Sequence, residues 1–289
     1  MTAPEATGSA RAIRLRIGSV LAAAAAAVAA ACVSTKPGVS PVGTPSRLHA
    51  DPPRVRAARH NQEDALRRLF ARARVELPAR LLIVAFKAER RLELWGFSHR
   101  QRRFVPVAIF PWLATSGRLG PKRRSWDHQI PEGFYRVAGL NPASLYHLSL
   151  QVDYPSASDL LLGDRRDPGG DIFIHGDHVS DGCIAIGDRA IEQLYLAVLD
   201  SLARGYEVPV EIYPCRFSDR TCRALLRREA EGRRDLAAFW ENLAEGFALF
   251  RRSGLPPRHW VSRSGRYVFS QSVMAEISAS HPTPPAKPR

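Results

Sequence analysis

Between Asn61 and Ala73 the apolar residues Leu66, Leu69, Phe70 and Ala73 recur at helical spacing. Glu63 and Asp64 suit a first turn, and Pro78 stops the run, which predicts a helix capped by Asn61. The period then changes. LLIVAF (81–86) and RLELWGF (91–97), joined by the turn-like KAER, predict a β-hairpin. RFVPVAIF (103–110) is a further strand, and Pro106, which has no N–H to donate to a ladder, places it at a sheet edge. HLSLQVDY (147–154) alternates again, IFIH (172–175) is a short apolar strand, and VPVEIY (208–213) is another. Two helices complete the pattern. Residues 188–204 carry the stripe Ile191, Leu194, Tyr195, Val198, Leu199 and Leu202, with Asp188 as the cap and Gly205 as the stop. Residues from about Thr221 to Arg252 read as one amphipathic helix that Trp240 and Phe247 can dock. Strands mixed with helices in this order predict an α+β domain.

The remaining segments have no such period. Residues 1–31 combine Arg11, Arg14 and Arg16 with an apolar run from Ile17 to Ala31, too short for a membrane span of roughly 20 residues. They read as an export signal, with Cys32 as a candidate for acylation and ordinary A-x-A cleavage as the alternative. The folded part is therefore expected in the periplasm or cell envelope, touching a membrane only through that signal or a lipid anchor. Residues 32–60 are rich in Pro, Ser, Gly and Arg and read as a flexible linker. The catalytic domain is assigned to 61–253, with its core at 80–214, and 254–289 to a C-terminal tail. Ala114 to Pro131 is polar, basic and too long for an idle turn, which makes it a candidate binding loop.

Formal charge is +14, carried mostly by arginine. Such a balance suits anionic partners, but the arginines are scattered without interleaved aromatic platforms, so no nucleic acid is expected. An anionic wall polymer fits the charge through nonspecific attraction. Of the four cysteines, Cys32 belongs to the signal. Cys215 and Cys222 are near enough in sequence to be a candidate disulfide pair, and Cys183 is left over.

Cys183 ends the segment IHGDHVSDGC, which packs His175, Asp177, His178, Ser180 and Asp181 into ten residues together with Gly176 and Gly182. A thiol of ordinary pKa is only a few per cent thiolate at neutral pH, so a nucleophilic cysteine needs a base, and His175 is the candidate. The N–H groups of Gly182 and Cys183 are candidates for an oxyanion site, and Ser180 for holding the loop. Taken singly, a cysteine is more often a packed thiol and a histidine a satisfied core residue. Their grouping argues otherwise. His175, His178 and Cys183 are also metal-ligand types, with Asp177, Asp181 or Asp188 to complete a set, but the spacing matches no common zinc pattern. No metal or cofactor is expected.

The segment IHGxxxSxGC resembles the active-site signature of the YkuD-domain L,D-transpeptidases. SGRLGPKRR (116–124), IPEGFY (130–135), LNPASLYH (140–147), DRAIEQLY after the cysteine and WENLAEGFALF near the end resemble its YafK-type branch. The resemblance spans roughly residues 80–253. It implies a β-sandwich-type catalytic domain with flanking helices, Cys183 as nucleophile, His175 as general base, and Ser180 and Gly182 as supporting positions. It also implies a reaction at the L-centre carbonyl of meso-diaminopimelate in a peptidoglycan stem, through a thioester. The outcome is either transpeptidation or hydrolysis that releases a wall-bound lipoprotein. Ser116, Arg118, Lys122 and His147 are candidate substrate-binding residues, with Arg123 and Arg124 beside them for the carboxylates of the stem. Asp181 and Ala185 stand where the broader family has histidine and arginine or asparagine, a departure shared by the YafK-type branch. The alternatives are a non-catalytic peptidoglycan-binding module and a metal-dependent wall hydrolase.

Overall fold

A computed structural model describes residues 51–272, so the stretch expected to be an export signal, Cys32 and the last residues of the chain lie outside the described residues. In chain order the elements are α1 (Pro53–Ala73), β1 (Leu81–Phe86), β2 (Arg91–Ser98), β3 (Arg103–Pro111), β4 (Gly133–Asn141), β5 (Ser149–Val152), α2 (Ala157–Leu162), β6 (Phe173–His175), β7 (Ile184–Ala185), α3 (Asp188–Ala203), β8 (Pro209–Tyr213), α4 (Arg220–Glu229), α5 (Arg234–Ser253), β9 (Arg258–Val261) and β10 (Tyr267–Ser270).

β1 is buried at every position, and its composition explains why. Leu81, Ile83 and Ala85 enter a core shared with α1 and α3, while Leu82, Val84 and Phe86 enter a second core shared with α4 and α5. A strand covered on both faces needs a continuous apolar run rather than alternation. β1 makes the expected hairpin with β2 and pairs in parallel with β8 on its other side. The eight-stranded sheet runs β3-β2-β1-β8-β4-β5-β6-β7. β3 is at the edge, with Pro106 opposite Trp95 at a bulge. A second irregularity in β4, between Val137 and Gly139, comes where that strand turns from β8 to β5. Beyond β3, the Leu113 N–H donates to the Ala185 carbonyl and Ala114 bridges Ala185. The two ends of the sheet thereby meet, and it closes over one core in a sandwich-like way.

Four expectations are corrected. The stretch to His60 is not linker throughout: α1 starts at Pro53, eight residues before the expected cap Asn61. Proline fits the first helical position because its φ is preset and its missing N–H is not needed there. Val55 and Ala58 extend the face of Gln62, Leu66 and Phe70 against the core. The helix expected over 221–252 is two, α4 and α5, separated by a turn in which Gly232 adopts φ 71°. The segment after residue 253 is not only tail. β9 and β10 form a hairpin whose Tyr267 is buried, with both its backbone groups bonded to the Asn242 side chain of α5. Asp188 is the first residue of α3 rather than its cap, a place taken by Gly187.

Cys215 and Cys222 are joined as a disulfide, tying the exit of β8 to α4. Against the 114–131 loop lies a buried ion pair. Lys87 Nζ is 3.1 Å from Glu132 Oε1 and donates to the carbonyls of Gly120 and Ile130. Glu132 also accepts from the Gly120 N–H and from Trp240 Nε1 of α5, both at 2.7 Å. Every polar atom of this pair that faces the protein thus has a partner, the condition under which a buried charge pair is tolerable. It ties Gly120 to the far end of a loop that has no strand or helix of its own.

Candidate active site

His175 ends β6, and β6 pairs in parallel with β7 so that His175 lies beside Ala185. Cys183 stands two residues before Ala185. The β6–β7 pairing therefore brings His175 beside the strand that Cys183 immediately precedes. Two glycines permit the surrounding turns. A Cβ on Gly176 would lie 2.6 Å from Asp188 Oδ1 and 2.8 Å from the Tyr146 carbonyl, so only glycine fits where the loop passes α3. Gly182 adopts φ 87°, with the Gln129 carbonyl at 3.3 Å from the place of a Cβ.

Cys183 is a free, half-buried thiol whose Sγ is 3.7 Å from the Asp171 carbonyl. Burial around the sulfur pushes its pKa up to about 11; the Phe173 N–H works against this, and Asp181 and Asp171 add to it. His175 is buried, and burial lowers its pKa, against the raising effects of the Gly176 carbonyl and Asp177. Its Nδ1 is 2.6 Å from the Gly176 carbonyl. A carbonyl only accepts, so the ring proton sits on Nδ1 and the Nε2 lone pair is left to act as a base. The Tyr146 ring packs on the imidazole at a centroid distance of 4.7 Å. Among the described residues no hydrogen bond joins Cys183 to His175. The resting pair is thus a neutral thiol and a neutral imidazole.

The loop that carries Cys183 is held from several sides. Ser180 Oγ donates to the Cys183 carbonyl at 2.6 Å, and the Gly182 N–H donates to Ser116 Oγ at 2.6 Å. This occupies one of the two N–H groups expected for an oxyanion and leaves that of Cys183. Ser116, a candidate for substrate binding, is here an anchor of the cysteine loop. Asp181 reaches across to His128 Nδ1 at 2.5 Å, linking the two loops, and Asp188 accepts from the Asp177 N–H at 2.8 Å.

Two of the substrate-binding candidates are engaged elsewhere. Lys122 is buried and donates to Asp127 Oδ1 at 2.6 Å and to the Arg124 carbonyl at 2.9 Å, so its ammonium organises the loop. His147 turns to α3, with Nε2 2.9 Å from Glu192 Oε1. Arg118 stays exposed, its N–H bonded to the Gln129 side chain. Sequence reasoning missed Tyr146, which stands one position before His147 in the LNPASLYH block, and it missed Gln129, His128 and the Lys87–Glu132 pair. Only long-range pairing brings these to the site. Among the described residues no group of three or more His, Cys, Asp or Glu side chains is placed to hold a metal ion, and no helix is long and apolar enough to cross a membrane.

Residues 80–212 match the model of the L,D-transpeptidase catalytic domain, YkuD. The L,D-transpeptidase-family protein YafK of Escherichia coli K12 is 34% identical over 198 residues, covering 68% of this chain and 76% of YafK, and its counterpart in E. coli O157:H7 matches equally. Among solved structures, the helical cell shape determining protein Pgp2 of Campylobacter jejuni aligns with 15% identity over 68% of this chain and 80% of that one, at a TM-score of 0.38. The matched segment contains β1 to β8 and both His175 and Cys183, and the chain belongs to the L,D-transpeptidase (YkuD) family of peptidoglycan enzymes.

Proposed function

We propose that Cys183 attacks the carbonyl on the L-centre of meso-diaminopimelate in a peptidoglycan stem. His175 Nε2 takes the thiol proton as the sulfur–carbon bond forms, and returns it to the amine that leaves when the amide bond breaks. The Cys183 N–H faces the oxyanion that forms between these steps. The product is a thioester on Cys183. Water then attacks it, with His175 again as base, and regenerates the thiol while releasing the carboxylate. Hydrolysis rather than transfer to a second stem is favoured by the YafK-type blocks. A substrate of this kind is a wall-bound lipoprotein linked through lysine, in the periplasm or cell envelope.

The observation that carries this reading is the His175 imidazole, its Nδ1 held against the Gly176 carbonyl, on the strand paired with the one that a free thiol immediately precedes. Before attack, the thiol must turn away from the Asp171 carbonyl towards Nε2, a rotation about one side-chain bond. Incubating the purified protein with sacculi that carry bound lipoprotein tests the proposal. Release of lysine-linked protein and an acyl adduct on Cys183 by intact-mass analysis are expected, both absent with Cys183→Ala. New cross-links without release would favour an amine acceptor. No adduct and no change under reducing conditions would overturn the proposal.

A further inference from the structure

A cleft of about 640 Å³ opens beside the Cys183 loop, between the 118–129 loop and the start of α5. Arg118, Arg123, Arg124 and Arg233 line it, over a floor that includes Leu236 and Phe239. Asp235 is the one carboxylate on its wall. Among the described residues Arg118, Arg124 and Arg233 make no ion pair, while Arg123 is pinned, its guanidinium 4.9 Å over the Phe239 ring and 3.7 Å from Asp159. The three arginines without an ion pair leave positive charge along one cleft, and such charges repel one another unless an anion sits among them. Arg233 adds to this as the N-cap of α5 without any side-chain cap, where the helix dipole is itself positive.

The cleft is continuous with the catalytic loop. Gln129 lines it, its side chain accepts from the Arg118 N–H, and its carbonyl lies against Gly182, the residue before the nucleophile. A third of its lining, Arg233, Asp235, Leu236 and Phe239, comes from α5 and the turn before it, outside the residues 80–212 that match the family domain. That wall is an addition to the common catalytic core, of the kind that sets specificity.

We propose that this cleft is the subsite that takes the free carboxylates of the peptide substrate and so holds the stem beside Cys183. The inference rests on the peptidoglycan-stem reading above and adds to it which groups of the stem are recognised, and by which residues. Planar guanidiniums grip a carboxylate through paired N–H donors, which neither an amide nor a hydroxyl reproduces.

Binding is measured by titration calorimetry with the Cys183→Ala protein, which cannot turn over. The probes are a synthetic stem peptide ending in meso-diaminopimelate with free carboxylates, the same peptide with those carboxylates amidated, and inorganic phosphate. Arg233→Gln should weaken the free-carboxylate peptide about fivefold to tenfold, as expected for one charge-assisted contact, and leave the amidated peptide unchanged. Arg118→Gln, on the opposite wall, should do the same, and each variant should keep the parent melting temperature. Phosphate should displace the peptide no better than sodium chloride of equal ionic strength. Equal loss for both peptides, no loss for either, or efficient displacement by phosphate would overturn the subsite. Because the thiol is absent, this result is independent of catalysis. A wild-type protein that binds by carboxylates yet forms no acyl adduct would refute the catalytic reading and leave the subsite standing.

Discussion

Reactivity of the thiol with iodoacetamide tests the resting state of the site directly. With the Cys183 pKa pushed up to about 11, the thiolate fraction at pH 7.5 is about 3 × 10⁻⁴, against about one tenth for an ordinary cysteine near 8.5. That is a factor of roughly 300. A thiolate of higher pKa is intrinsically more nucleophilic, and a Brønsted slope of about 0.45 returns roughly a factor of 13. Cys183 should therefore be alkylated about 20-fold more slowly than an exposed cysteine in an unstructured peptide. The sign follows from burial: the raised pKa keeps the thiol protonated across the neutral range, so the rate should climb about tenfold per pH unit and not level off below pH 10. Peptide mapping after timed quenches separates Cys183 from the other cysteines. His175→Asn should leave this rate at pH 7 within about twofold, since no charged pair exists to be broken, while abolishing turnover. In turnover, the lowered pKa of His175 keeps the imidazole neutral to below pH 6.5, so the acid limb of the rate profile should lie below that value. An alkylation rate that is flat from pH 6 to 8, and that falls strongly in His175→Asn, would refute the argument, because it would demonstrate a thiolate–imidazolium pair.

Three further outcomes follow from the same geometry. Ser116→Ala removes the acceptor of the Gly182 N–H; stability should drop by about 1 kcal/mol and the rate of thioester formation by about tenfold or more, read by single-turnover kinetics. Glu132→Ala strands the buried Lys87 ammonium and should cost about 3–5 kcal/mol in urea denaturation, most of it recovered in Lys87→Met with Glu132→Leu. Burial raises the pKa of Glu211 to about 7, with the Tyr213 hydroxyl as its donor. A raised carboxyl pKa contributes stability that is complete below about pH 4.3 and lost as the pH rises to about 7. Glu211→Gln should therefore be more stable than the parent by on the order of 3 kcal/mol at pH 8, with little difference at pH 4.

The sequence by itself determined the elements whose pattern is local. The β1–β2 hairpin, the edge position of β3 and the stripe of α3 follow from residue spacing and from proline's missing donor. IHGDHVSDGC likewise placed a thiol and an imidazole within one short segment, and cysteine spacing marked the Cys215–Cys222 pair. What depends on neighbours far along the chain was not legible. The helical face of Val55 and Ala58 lay behind a proline-rich stretch that reads as linker until a core receives it. Lys122 and His147 look like free ligands in the sequence and are spent on Asp127 and Glu192 in the fold. Tyr146 becomes a partner of His175 only when β5 pairs with β6, and the Gly182 N–H is taken by Ser116 only when the 114–131 loop closes over the cysteine. Burial, too, belongs to the tertiary structure alone: the same cysteine and histidine form a neutral pair here because surrounding atoms, contributed by many separate segments, exclude the water that would stabilise their charges.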